Sequence, residues 1–176
     1  AAAAPDRVFV ARRGAGGAWI EITYAQMLDR AQRVGQALLA HGLSPERPIA
    51  ILSGNDLEHL TLALGAMWVG IPYAPVSPAY STVSKDFGKL RQILGTLTPG
   101  LVFASDGAAF GDAIQACVPD ATVVLAQGAV AGRRHLAFDA LLATPAGPEA
   151  AAAHARVGPD TIAKFLFTSG STKQPK

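Results

Sequence analysis

The chain has 176 residues, half of them hydrophobic, and sets 15 Lys and Arg against 13 Asp and Glu; this is enough apolar length for one substantial core, so a globular domain is expected. Apart from the pairs Arg12–Arg13 and Arg133–Arg134 the basic residues are scattered, which leaves no stripe to neutralise a nucleic-acid backbone and excludes nucleic acid as a partner. The lone Cys117 excludes an intramolecular disulfide, and with neither a basic-then-apolar leader nor a bilayer-length apolar run, a cytoplasmic chain without a membrane partner is expected.

In chain order, Val8 to Ala11 and Trp19 to Ile22 flank the turn-rich GAGG at Gly14 to Gly17 and read as a small β-hairpin. Thr23-x-x-Gln26 is a capping box opening a helix whose apolar face runs through Met27, Leu28, Ala31, Val34 and Leu38, with Gly42 as its stop. Pro48 to Ser53 reads as a buried strand, and Asn55-x-x-Glu58 opens a second helix through Leu60, Leu64 and Met67 to Gly70. Ile71 to Val76 is the next extended segment. A helix from Ser84 to Leu97, with Phe87, Leu90, Leu94 and Leu97 on one face, leads to a strand at Leu101 to Ala104. A helix at about Ala108 to Cys117, a strand at Ala121 to Ala126 and a helical turn at Phe138 to Ala143 continue the alternation. Cys117 falls in register with Phe110, Ala113 and Ile114, which makes it a core residue rather than a nucleophile.

Strands alternating with amphipathic helices define an α/β fold: a mostly parallel sheet flanked by helices, with the hairpin before it. From 143 to 160 the chain is Ala, Gly and Pro with little periodicity and reads as a mobile connection. The apolar run Ala163 to Phe167 reads as a last buried strand.

That run opens into FLFTSGSTKQPK, Phe165 to Lys176, where hydroxyls, glycine and lysine share one loop. Thr168, Ser169, Ser171 and Thr172 surround Gly170, whose missing Cβ lets backbone N–H groups approach an anion closely, and Lys176 adds a point charge. A loop of this chemistry at the end of a strand is suited to a polyphosphate. The plain competitor is a Ser/Thr-rich surface turn. A Walker-type P-loop does not fit, because Pro175 rather than glycine precedes Lys176; proline fixes φ and removes an N–H where that loop would feed a helix.

TSGSTKQPK resembles the phosphate-binding signature of the adenylate-forming (AMP-binding) enzymes, the superfamily of acyl-CoA synthetases, non-ribosomal peptide adenylation domains and luciferases. ITYAQM, Ile22 to Met27, and AMWVGIPYAPVSPAY, Ala66 to Tyr80, are similar to further patterns of that superfamily in the expected order. GIPYAPVSPAYS and the lysine within FTSGSTKQPK look most like the feruloyl-CoA synthase branch. Lys173 departs from the usual signature, where glycine is commoner; a lysine disfavours positive φ, so its side chain is expected at solvent or as a further phosphate contact.

The resemblance implies attack of a small-molecule carboxylic acid, a hydroxycinnamate such as ferulate in that branch, on the α-phosphorus of ATP with release of pyrophosphate, then thiolate attack by CoA to give the thioester and AMP. Thr168, Ser169, Gly170, Ser171, Thr172 and Lys176 would hold the phosphates, with Mg²⁺ sharing the charge. The acid pocket, the adenine pocket, the metal carboxylate and the catalytic lysine lie after the signature in that superfamily. Residues 1–176 are therefore expected to be a partial N-terminal AMP-binding domain, inactive alone, whose partner is the C-terminal portion of the same enzyme. No complete catalytic set can be named. A peptide-synthetase adenylation domain is the enzyme alternative, and a non-catalytic nucleotide- or protein-binding module the other.

The remaining polar and aromatic residues have structural explanations. His41, His59, His135 and His154 lie far apart and at no metal-ligand spacing. Trp68 and Tyr73 are expected in the core, and Asn55 and Glu58 as helix-terminal residues.

Overall fold

A computed structural model describes residues 1–118 and 120–168. The hairpin forms as expected: β1 (Val8–Arg13) pairs antiparallel with β2 (Trp19–Thr23). α1 (Tyr24–Ala40) carries the complete capping box, with Thr23 accepting from the Gln26 N–H and Gln26 returning to the Thr23 N–H, and ends before Gly42 at φ +70°.

Then come β3 (Ile49–Leu52), α2 (Leu57–Trp68), β4 (Tyr73–Val76), α3 (Ala79–Thr82), α4 (Gly88–Leu97), β5 (Leu101–Asp106), α5 (Gly107–Cys117), β6 (Thr122–Gln127), β7 (Leu136–Ala137), α6 (Phe138–Ala143) and α7 (Pro148–His154). The five later strands form one parallel sheet in the order β4-β3-β5-β6-β7. Alternation along the central strands divides the core. Ile49, Ile51, Leu101, Phe103 and Val124 face α1, α2, α6 and α7, while Ala50, Leu52, Val102, Ala104, Val123 and Leu125 face α4 and α5. Every side chain of β3 is fully buried.

Helices α1 and α2 touch through glycine. A Cβ on Gly65 would stand 2.6 Å from Val34 Cγ1, and one on Gly35 2.7 Å from Val69 Cγ1, so both positions are committed to the contact.

The structure corrects four local expectations. The N-cap of α2 is Asp56, not Asn55; its carboxylate takes the His59 N–H, and the buried face is Leu57, Thr61, Leu62, Ala63 and Ala66 rather than the Leu60, Leu64, Met67 stripe. The helix expected from Ser84 begins at Gly88. Pro78 seeds the separate turn α3, and the Asp86 carboxylate, bonded to Ser84 Oγ and the Gly88 N–H, competes locally with helix and leaves Phe87 left-handed at φ 53°. The stretch 143–160, read as a mobile connection with little periodicity, carries α7; its alanines are strong helix formers, Pro148 suits the first turn, and Ala150 and Ala153 are buried against the core. Ala163 to Phe167 is no buried strand but an extended segment with one bridge to β4, and Leu166 is 61% exposed.

Trp68 and Tyr73 are half-buried at the rim of the core rather than inside it. Cys117 is half-buried, and burial pushes its thiol up against the opposing pull of Arg91, which disfavours the nucleophilic thiolate. Among the described residues no helix is long and apolar enough to cross a membrane.

Candidate functional site

In an open parallel sheet, ligands sit beyond the carboxyl ends of the strands, usually where the strand order reverses. Here the chain goes from β3 to β4 on one side and then to β5 on the other, so the reversal lies between β3 and β5. Helices α2 and α5 leave this point toward opposite faces, as their membership of opposite core layers shows.

The chemistry of that crevice is already spent. Asp56 accepts the His59 N–H at 2.6 Å, and Asp106 accepts the N–H groups of Ala108 and Ala109 at 2.7 and 3.2 Å and the Gln127 amide at 2.9 Å. The two backbone bonds, from Ala109 and then Ala108, hold the Asp106 carboxyl below the usual aspartate range, with Gln127 assisting. The protein's own carboxylates thus take one N–H at the start of α2 and two at the start of α5. A phosphate arriving there would meet the Asp56 and Asp106 carboxylates at both helix starts. Beside them Ser53 Oγ lies 3.0 Å from His59 Nδ1, and both contact the Gly54 carbonyl, so this pair is also satisfied locally.

The other approach to the carboxyl end is along β4, whose outer edge lacks a full partner strand. The Tyr73 N–H donates to the Ala163 carbonyl at 3.3 Å, and the Phe165 N–H donates to the Tyr73 carbonyl at 2.9 Å. The bridge between Tyr73 and Lys164 is parallel, so the segment runs with β4 and carries Thr168 toward the carboxyl ends of the sheet. Its side chains alternate: Phe165 and Phe167 pack on the layer of α4 and α5, while Lys164, Leu166 and Thr168 are exposed. An apolar anchor every second residue on a rigid edge is a suitable root for a ligand-holding loop.

Of the expected phosphate-binding residues, Thr168 is placed by this arrangement; Ser169, Gly170, Ser171, Thr172, Lys173 and Lys176 lie outside the described residues. Asp106 and Asp56 escaped the sequence reading, although an aspartate before a helical run (Asp106-Gly107, Asp56-Leu57) is a capping signal. Tyr73 acts through its backbone, for which no side-chain pattern exists. Among the described residues no three His, Cys, Asp or Glu side chains gather as a metal site.

The fold is shared with known proteins. Phenyloxazoline synthase MbtB of Mycobacterium tuberculosis is 31% identical over 160 residues, an alignment covering 89% of this chain and 9% of that protein. The crystal structure of Brucella canis acyl-CoA synthetase superposes with a TM-score of 0.74 at 25% identity, over 97% of this chain and 30% of that one. The crystal structure of ATP-bound MatB from Rhodopseudomonas palustris gives a TM-score of 0.68 at 29% identity, over 97% of this chain and 31% of that one. The chain therefore spans under a third of the length of these relatives. The family described as AMP-binding enzyme matches residues 1–176, and the chain belongs to that family.

Proposed function

We propose that this chain forms the phosphate-holding part of an ATP-dependent ligase that activates a carboxylic acid as its adenylate. The observation that carries the reading is the segment 163–168, bonded to the edge of β4 at Tyr73 and aimed at the carboxyl end of the sheet, with the polyphosphate-suited sequence Thr168 to Lys176 as its continuation. Two further points support it: the helix N-termini at the β3–β5 reversal are occupied by Asp56 and Asp106, and an ATP-bound relative shares the fold.

In this mechanism the Thr168, Ser169, Ser171 and Thr172 hydroxyls, the backbone N–H groups around Gly170, and Lys176 donate to the β and γ phosphate oxygens of ATP, and they gain strength as charge builds on the departing pyrophosphate. Lys173 is a further phosphate contact. Mg²⁺ would add positive charge on the phosphate oxygens when bound; no described residue is assigned to it. Carboxylate attack at the α-phosphorus is favoured by this positioning and charge stabilisation rather than by a protein nucleophile. CoA is the proposed thiol acceptor, the acid an aryl acid of the hydroxycinnamate class such as ferulate, and the cytoplasm the proposed location. The second reading, adenylation within a peptide synthetase, is favoured by the 31% identity to phenyloxazoline synthase MbtB; carrier-protein sequence encoded downstream would select it.

The test uses the chain joined to the remainder of the family's adenylating core. Thr168→Ala or Lys176→Ala is expected to slow acid-dependent pyrophosphate exchange by about a hundredfold, equivalent to roughly 3 kcal/mol of lost transition-state stabilisation. Exchange at the unsubstituted rate would overturn the assignment. The 176 residues by themselves are expected to bind ATP without turnover; thioester formation by them alone would contradict that.

A further inference from the structure

Beyond the loop itself, the structure holds a fixture for the segment that leads to it. Residues 154–165 run beside residues 68–73 through three successive contacts. At the first, the ring of His154, the last residue of α7, lies flat on the ring of Trp68, the last residue of α2, with centroids 3.5 Å apart and planes 6° from parallel. His154 Nδ1 stands 3.0 Å from the Trp68 carbonyl; a carbonyl only accepts, so Nδ1 carries the hydrogen in this bond. At the second, the methyls of Val157 and Thr161 lie over Gly70, at 3.5 and 3.6 Å from where a Cβ would stand. At the third, Tyr73 bonds Ala163 and Phe165.

The turn between the first and last contacts is closed on itself. The Val157 N–H bonds the His154 carbonyl, the Thr161 N–H bonds the Gly158 carbonyl, and the Gly158 N–H bonds Thr161 Oγ1. A displacement of His154 is therefore passed along a short, internally bonded turn to Phe165. The far end of α7 is held separately: Gln36 of α1 accepts the Ala150 N–H and donates to Glu149.

We infer that the Trp68–His154 stack is a latch that sets where residues 163–168 lie on β4, and that His154 is thereby a positioning residue for the phosphate-holding loop. This rests on the function proposed above for Thr168 to Lys176. By linkage, a ligand held by the loop that binds better when the latch is closed also tightens the latch.

Hydrogen exchange on the 176-residue chain tests it. His154→Ala is expected to speed exchange of the Phe165 amide by about three- to tenfold, the range of one aromatic pair, and to leave the amides of β3 unchanged. His154→Phe, which keeps the stack, should restore most of the protection, and Trp68→Phe, with less stacked surface, should fall between. Unchanged Phe165 exchange in both His154→Ala and Trp68→Phe overturns the latch; so does an equal rise in β3, which would make His154 a contributor to bulk stability only.

The link to the ligand is read separately, in a Trp19→Phe background where Trp68 is the sole indole. Mg-ATP should shift Trp68 emission and slow Phe165 exchange in the His154 chain and bind more weakly to His154→Ala. Equal ATP affinity for both chains overturns the positioning role. If His154→Ala loosens Phe165 while ATP binds neither chain, the latch stands as the anchor of the segment and the phosphate reading of the loop is what fails.

Discussion

The centre of the sheet and its β4 edge are built on opposite terms. β3 and β5 are paired on both sides, buried on both faces, and followed by helices whose first turns donate His59, Ala108 and Ala109 N–H groups to Asp56 and Asp106. The outer edge of β4 meets one bridge, at Tyr73 and Lys164, and leaves Leu166 and Thr168 exposed. The centre is rigid and carries its own carboxylates at both helix starts, whereas the edge is only partly used. In this protein the usual ligand position, the point of strand reversal, falls in the central region, and the candidate site has moved to the edge.

The contrast can be broken or sharpened by substitution. The largest effect is expected at Phe103, which is fully buried between β5 and α6 and meets Phe138 edge-on at 5.6 Å: Phe103→Ala should cost about 3–5 kcal/mol in urea unfolding, and a loss under about 1 kcal/mol would show that the centre is not close-packed. Gly65→Ala follows, because its Cβ would meet Val34 Cγ1 at 2.6 Å; overpacking there should cost about 1–3 kcal/mol by the same measurement.

A smaller effect, read against pH, belongs to Asp106. Its carboxyl titrates lower in the folded chain than in the unfolded one because Ala109, Ala108 and Gln127 bond the ionised form. The unfolded state therefore takes up the proton first as pH falls, and the contribution is present above the usual aspartate value, about pH 4, and fades below it. Asp106→Asn should flatten that part of the stability curve; an unchanged acid limb would remove Asp106 as its source. Smallest of all is Leu166→Lys at the edge, where the exposed side chain predicts a change within about 0.5 kcal/mol. A larger loss would mean that the edge is packed as the centre is.

What the sequence revealed follows the same division. Turn residues, a capping box and short apolar runs made the hairpin, the start of α1, β3, β5 and β6 legible, and periodicity the helix ending at Cys117. Where a competing local bond decides, periodicity misleads: Asp86 delays to Gly88 the helix expected from Ser84, and Asp56 takes the cap assigned to Asn55. Helix α7 is hidden by composition, since an alanine run has no amphipathic signal, and its anchors come from Gln36 and Trp68, over a hundred and more than eighty residues away in sequence. The candidate loop was legible as chemistry, hydroxyls with glycine and lysine, whereas its support was not. Tyr73 contributes through its own N–H and carbonyl, which any residue but proline could supply.

The single bridge at Tyr73 also carries information about time. Its partners are separated by roughly 90 residues of chain, so the entropy of closing that span must be met before the contact forms. Two backbone hydrogen bonds at about 1 kcal/mol each are too few to meet it alone. The intervening elements β5, α5, β6, α6 and α7 must have condensed first, bringing residue 163 to the edge as a nearby end rather than a distant one. Docking of the segment is then expected to be the last event of folding and, read backwards, the first to reverse.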